Sequence, residues 1–324
     1  MQHWNGLRFD PAASRGHVES WFWKLNDPVG RRALWLKATI LAGPGRQPVA
    51  EGWAIAFDRD EGHVAAKQRV PFDSADFARD ALDIRVADAR FEPGKTRGVL
   101  RANGHEIEWD LAFAGSAPPV VPLPGRLYAD LAGNSKFVTP HPDVAFSGSY
   151  RVDGGRVEVE GWRGMQGHNW GRRHVHAYAW VHANVWSDAD DVVFEGITAR
   201  VKAGPLLSPP ISLLVVAHAG ERHEFGLPRS LWRARGRIGA RDWRVRATNG
   251  RARLAAHFEA ETADFVGLHY ENPDGAMTYC LNSKIARGRL RLERPGRPPL
   301  EAETRAAALE LGTRDARHGV RMLA

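Results

Sequence analysis

The stretch His176-Ala-Tyr-Ala-Trp-Val-His-Ala-Asn-Val-Trp186 alternates without a break between two kinds of side chain. His176, Tyr178, Trp180, His182, Asn184 and Trp186 fall on one side, and Ala177, Ala179, Val181, Ala183 and Val185 on the other. A period of two places these sets on opposite faces of a β-strand and is incompatible with a helix. The small aliphatic face suits close packing. The other face presents aromatic rings with polar tips, which leaves two readings open: the lining of a ligand cavity, or a wet outer surface.

Upstream lies Gly161-Trp-Arg-Gly-Met-Gln-Gly-His-Asn-Trp-Gly171, the least generic part of the chain. Its glycines allow a sharp turn or a close approach of backbone to a ligand. His168, Asn169 and Trp170 together offer a proton donor or acceptor, an amide and a π-face. Downstream, Asp190-Asp-Val-Val-Phe-Glu-Gly196 places Glu195 in the middle of an apolar strand, where desolvation raises a carboxyl pKa. The residues therefore point to His168 and Glu195 as an acid/base pair across a cavity. The alternative is that Glu195 pairs with an arginine.

The same alternation recurs through the rest of the chain. Strands are expected at Glu19–Asn26, Ala33–Leu41, Val49–Phe57, Glu106–Ala114, Ala145–Val152, Arg156–Trp162, Asp191–Lys202, Ile211–His218, Arg251–Glu261 and Tyr279–Glu293. Asp153-Gly154-Gly155 is a hairpin signal. Helix signals are confined to Asp73–Arg79, with Glu301–Leu311 ambiguous between helix and strand. The fold class is all-β. So many antiparallel strands need their edges closed or covered, which predicts two barrel-like or sandwich-like domains in tandem. The Pro-rich break Gly204-Pro-Leu-Leu-Ser-Pro-Pro210 divides them into residues 1–203 and 204–324.

Twelve Trp beside five Tyr suggest a wide apolar cavity or a surface that grips a flat or greasy ligand. Trp21 and Trp23 share a face and are candidates for the same lining, or for plain core. The net charge of +7 permits an anionic partner, with much of the excess after residue 228, in Arg229, Arg233, Arg235, Arg237, Arg241, Arg244 and Arg246. These arginines are spread along the chain and match no nucleic-acid-binding module, so no nucleic-acid partner is expected. The single Cys280 fits a reducing compartment and reads as a small buried residue. No secretory leader and no apolar run long enough to span a bilayer is read, leaving a cytoplasmic protein with room for peripheral membrane contact. His174, His176 and His182 lack the spacing of a metal site, so no metal is expected. The absence of phosphate-binding, dinucleotide-binding and nucleophile-elbow motifs disfavours nucleotide-driven chemistry and serine hydrolysis.

Gly164-Met-Gln-Gly-His-Asn-Trp-Gly171, set in a Trp-rich all-β chain, resembles the superfamily that joins carotenoid 1,2-hydratase (hydroxyneurosporene synthase), tocopherol cyclase and AttH-like proteins. Lipocalin-like Diels–Alderases belong to the same structural group. The resemblance implies two tandem lipocalin-like β-barrel or sandwich domains, with the cavity in the N-terminal part and at the domain junction. It implies a catalytic role for His168 and carbocation stabilisation by Trp170. Where the hydratases carry Tyr-x-Asp this chain has Val193-Phe194-Glu195, with Glu195 in the place of the acid, and Gly167 replaces an acidic residue before the histidine. The activity it implies is cofactor-free hydration, isomerisation or cyclisation of a hydrophobic small molecule such as an isoprenoid, lipid or polyketide. Asn169, Tyr178, Trp180, His182, Asn184, Trp186, Trp21 and Trp23 are the candidate ligand-binding residues. A non-catalytic carrier of such a molecule, or a carbohydrate-binding protein with exposed Trp platforms, fits the same composition.

Overall fold

The computed structural model describes residues 4–13, 15–128, 135–203 and 206–324. Eleven strands form the first sheet: β1 (His17–Asn26), β2 (Arg32–Ala42), β3 (Val49–Asp58), β4 (Val64–Pro71), β5 (Asp76–Phe77), β6 (Ile84–Val86), β7 (Ala89–Glu92), β8 (Lys95–Ala102), β9 (His105–Ala114), β10 (Ser135–Val152) and β11 (Gly155–Gly171). Their spatial order is 4-3-2-1-11-10-9-8-7-6-5. The sheet curls until β4 packs on β8 and β9.

Next in the chain come β12 (Ala177–Ala183), β13 (Val193–Arg200) and a two-stranded ribbon of β14 (Lys202–Ala203) and β15 (Leu206–Leu207). β16 (Ile211–His218), β17 (Glu221–Phe225), one helical turn α1 (Ser230–Arg233), β18 (Ala234–Ile238), β19 (Asp242–Thr248) and β20 (Arg253–Glu259) follow. The chain ends with β21 (Val266–Glu271), β22 (Met277–Glu293) and β23 (Leu300–Thr313). The second sheet runs 17-16-13-12-23-22-20-19-18, with β21 paired to β22, and it wraps until β16 approaches β18. The chain crosses from one sheet to the other between Gly171 and Ala177. Gly204 and Pro205 of the expected linker lie outside the described residues.

The expected hairpin sits at Asp153-Gly154, both with positive φ (50° and 88°), the type I′ geometry that matches strand twist. The expected helix at Asp73–Arg79 is instead a 3-10 turn over Phe72–Ser74 followed by β5, where Phe77 pairs with Ile84. Phe72 and Phe77 stack against each other at 5.9 Å and pack on the first core, which an extended backbone permits. Glu301–Leu311 lies within strand β23.

Three apolar layers follow from the alternation. Trp21, Trp23 and Leu25 of β1 enter the curl of the first sheet. Ala179, Val181 and Ala183 of β12 enter the second. The opposite faces of the same strands meet each other, with Phe22, Trp35, Tyr178 and Trp180 in one shared layer. β1 and β2 are buried on both faces over almost their whole length, so Glu19, Lys24, Asn26 and Lys37 are buried together with their apolar neighbours.

Gly161–Gly171 is part of a long strand and not a turn; Gly161 takes a positive φ of 64° at a register shift against β10, while Gly164 and Gly167 serve close packing. A Cβ on Gly164 would sit 2.0 Å from the Lys24 carbonyl oxygen, and one on Gly167 2.3 Å from the Phe22 ring. The ring can rotate toward the shared layer, whereas the carbonyl belongs to a paired strand. Gly164→Ala therefore destabilises the protein by about 1–3 kcal/mol and exceeds the loss for Gly167→Ala. Urea unfolding of the two variants checks this, and an equal or reversed order refutes it.

Candidate functional site between the two sheets

The layer shared by the sheets contains a cavity of about 100 Å3. Register explains its lining. On the first sheet Phe22 stands opposite Lys37, and Lys24 opposite Trp35. Asn169 reaches the same side from β11, because His168 before it faces the other way. On the second sheet Trp180 has Ile197 on one neighbouring strand and Glu310 on the other. Phe22, Trp35, Lys37, Asn169, Tyr178, Trp180, Ile197, Tyr270, Glu310 and His174 all line the space.

Its electrostatics are those of charge held among rings. Lys37 Nζ lies 3.9 Å from the Tyr270 ring centroid and 5.5 Å from those of Trp35 and Trp53. It donates no hydrogen bond to a described residue. Burial brings its pKa down to about 8, opposed by the charge of Glu310. Burial, reinforced by Lys37 and Arg314, drives His174 to about 3, so its imidazole is neutral. The Tyr178 hydroxyl donates to Cys280 Sγ at 3.3 Å, and burial pushes that thiol up to about 12.

A polar network extends from the cavity along the junction. Lys284 donates to Asn282 and, at 2.8 Å, to Glu310 Oε1. Lys24 donates to Asn26 at 3.0 Å and to Asn184 at 2.9 Å, and Asn26 donates to the Lys284 carbonyl at 2.6 Å. Burial, aided by the charge of Lys284, lowers Lys24 to about 7. None of Lys24, Lys37 or Glu310 was reached from the sequence, although a signal is present. Lys24 interrupts Trp21-Phe-Trp and Lys37 interrupts Leu34-Trp-Leu, and a lysine inside so apolar a strand is buried and has to find partners.

Glu195 lies on the same side. Its Oε1 accepts from Thr139 Oγ1 at 2.7 Å and from Trp180 Nε1 at 3.2 Å. Its Oε2 is buried with no hydrogen-bond partner among the described residues. Burial raises its pKa to about 7, against the pull of those two hydrogen bonds. The pairing with an arginine that the sequence left open does not form among the described residues, where only the charge of Arg222 reaches Glu195.

His168 lies on the other face of the first sheet. Its Nδ1 donates to the Trp4 carbonyl at 2.6 Å, and its Nε2 lies 3.0 Å from Glu19 Oε1. The ring stacks on Trp21 at 4.5 Å and meets Trp170 at 4.8 Å, while Trp170 also lies under Arg8. Burial opposes ionisation of Glu19, but hydrogen bonds from His168 and His17 outweigh it and hold the carboxyl below its usual value.

The structure thus brings Asn169, Tyr178 and Trp180 together around the cavity, with Glu195 behind Trp180. It does not bring His168 to Glu195. His168 bonds Glu19 and Trp4 on the far face of the first sheet, whereas Glu195, on the second sheet, bonds Thr139 and Trp180 between the sheets. His182 accepts no role at the cavity wall; its Nε2 donates to the Pro142 carbonyl at 2.8 Å, and Asn184 joins Lys24 to the Gly164 carbonyl. Trp186 enters the second core and donates to the Val192 carbonyl, while Trp21 and Trp23 belong to the first core. No described helix is long and apolar enough to cross a membrane.

No protein-family model matches the chain. The uncharacterized protein Rv0493c of Mycobacterium tuberculosis is 26% identical over 272 residues, which cover 84% of this chain and 80% of that one. Among solved structures, CghA with Sch210972 superposes with a TM-score of 0.62 at 12% identity, covering 92% of this chain and 88% of the other. An AttH-like protein from Nitrosomonas europaea gives 0.52 at 15% identity, covering 91% and 92%. Kievitone hydratase from Nectria haematococca gives 0.52 at 11% identity, covering 97% and 99%. The protein has the fold of these structures, two tandem lipocalin-like β domains.

Proposed function

We propose that the protein binds a hydrophobic small molecule between its two sheets and performs cofactor-free acid/base hydration, isomerisation or cyclisation on it. Glu195 is the proton source. One observation carries this reading: a buried carboxyl, raised toward neutrality, keeps an oxygen without a hydrogen-bond partner among the described residues, behind the Trp180 ring that lines the cavity. A carboxylic acid still protonated near neutral pH is the kind of group that protonates a C=C or a carbonyl. The rings of Trp35, Trp180 and Tyr270 exclude water and stabilise positive charge developing on the ligand. Lys37 and Asn169 supply the polar contacts that orient it. His168, locked between Trp21, Trp170 and Glu19, acts as a positioning residue for β11. The fold likeness to CghA and kievitone hydratase supports the reading at the level of architecture. A buried, unpaired Cys280 agrees with a cytoplasmic location.

The acid is tested by comparing the wild type with Glu195→Gln. Between the usual value of 4.5 and about 7 the folded protein binds the Glu195 proton more tightly than the unfolded chain does. That contribution is fully present below pH 4.5 and is lost as pH rises through 7. Wild-type stability therefore falls by about 3 kcal/mol relative to the variant across this window. Urea unfolding at a series of pH values reads the difference, and a flat difference refutes the raised pKa. Native mass spectrometry of protein from its own host identifies the bound molecule, which Trp180→Ala loses. Turnover of that molecule by Glu195→Gln at the wild-type rate would remove Glu195 from the chemistry. Binding without turnover by the wild type identifies a carrier.

A further inference from the structure

The outer face of the second sheet carries a charge pattern that its fold does not account for. Arg235 and Arg237 of β18 stand directly opposite Arg246 and Arg244 of β19. Like charges in directly opposed positions destabilise a sheet. Asp242 neutralises Arg244, and Glu293 with Glu301 neutralises Arg291. Arg233, Arg235, Arg237, Arg246 and Arg253 are exposed and form no ion pair among the described residues. They border a shallow concavity of about 820 Å3. At its rim, on α1, Trp232 is 73% exposed and Leu231 47%. Every other described Trp is buried or half-buried.

We propose that this face docks on an anionic lipid bilayer. Unpaired arginines gather at a negative membrane surface, and a Trp beside a Leu gains by entering the headgroup region. A single-stranded nucleic acid is the competing polyanion. It is favoured by several aromatic platforms along a groove, whereas this face has one ring, and Leu231 gains nothing there. The surface lies on the second sheet's exterior, apart from the inter-sheet cavity, so the inference does not depend on the ligand reading.

The test is co-sedimentation of the full chain with phosphatidylcholine vesicles, with and without phosphatidylserine. The protein pellets with the phosphatidylserine vesicles at low salt and is released at high salt. Arg235→Ser with Arg246→Ser lowers partitioning roughly tenfold or more. Its thermal midpoint is unchanged or raised, because opposed like charges are removed, so the loss is not misfolding. Trp232→Ala lowers partitioning severalfold, and brominated lipid quenches Trp232 in the wild type. Equal partitioning to both vesicle types overturns the proposal, as does retained binding by the double variant. Displacement from vesicles by a single-stranded oligonucleotide that binds more tightly assigns the face to nucleic acid instead.

Discussion

Replacing His168 by Leu lowers the unfolding free energy by about 3–5 kcal/mol, the loss seen when one partner of a buried ion pair is removed. His168 and Glu19 are both wholly buried and lie 3.0 Å apart. The Trp4 carbonyl on the other side of the ring can only accept, so Leu takes a donor from two buried acceptors at once. Glu19 would keep the Arg8 backbone N–H at 2.8 Å and His17 at 2.8 Å, too little to replace the lost contact. The stack on Trp21 at 4.5 Å is lost as well. His168→Gln, which retains one donor, falls between the wild type and His168→Leu. The double variant Glu19→Gln/His168→Leu recovers part of the loss, because no buried carboxylate is then left short of the donor that His168 supplied. The pH dependence has a definite sign. The folded pKa of Glu19 is depressed, so its contribution is present above 4.5 and disappears as pH falls. The deficit of His168→Leu is therefore largest at neutral pH and narrows in acid. A loss below about 1 kcal/mol at pH 7 would mean the pair is not structural.

Glu310→Gln has an effect of similar size, about 3–5 kcal/mol, at the junction of the sheets. Lys284 is 0% exposed at its side chain and has Glu310, 12% exposed, as its only carboxylate within ion-pair distance among the described residues. Burial alone depresses Lys284, and the charge of Glu310 opposes that. Without the carboxylate the ammonium is stranded between Trp35 at 5.2 Å and Trp180 at 5.7 Å. The lysine then sheds its proton more readily. A lysine whose folded pKa is depressed gains stability as pH rises toward its unfolded value, so the deficit shrinks in alkali. Combining Glu310→Leu with Lys284→Met restores most of the stability, since an apolar pair of similar volume removes both desolvation terms. Chemical unfolding at pH 7 and pH 9 reads both effects. A deficit that grows with pH would show that Lys284 is not the stranded charge.

The sequence by itself determined what repeats locally. The alternation in His176–Trp186 is a property of one strand, and it separated Tyr178 and Trp180 from Ala179 and Val181 before any neighbour was known. Positive φ at Asp153-Gly154 is likewise a local demand, and the hairpin is where those residues require it. A carboxyl flanked by Phe194 and Gly196 could be read as desolvated, and Glu195 is. What the pattern could not say is which face of each strand meets which other strand. His168 and Trp170 share a face with Glu19 and Trp21, while Asn169 between them lines the cavity. One position of register decides between the two. The partner of His168 is 149 residues away, Lys24 bonds Asn184 across 160, and Asn26 bonds Lys284 across 258. Only the tertiary structure decided those pairs. Period two names two faces, and the order of strands in the sheets chooses which of them becomes the site.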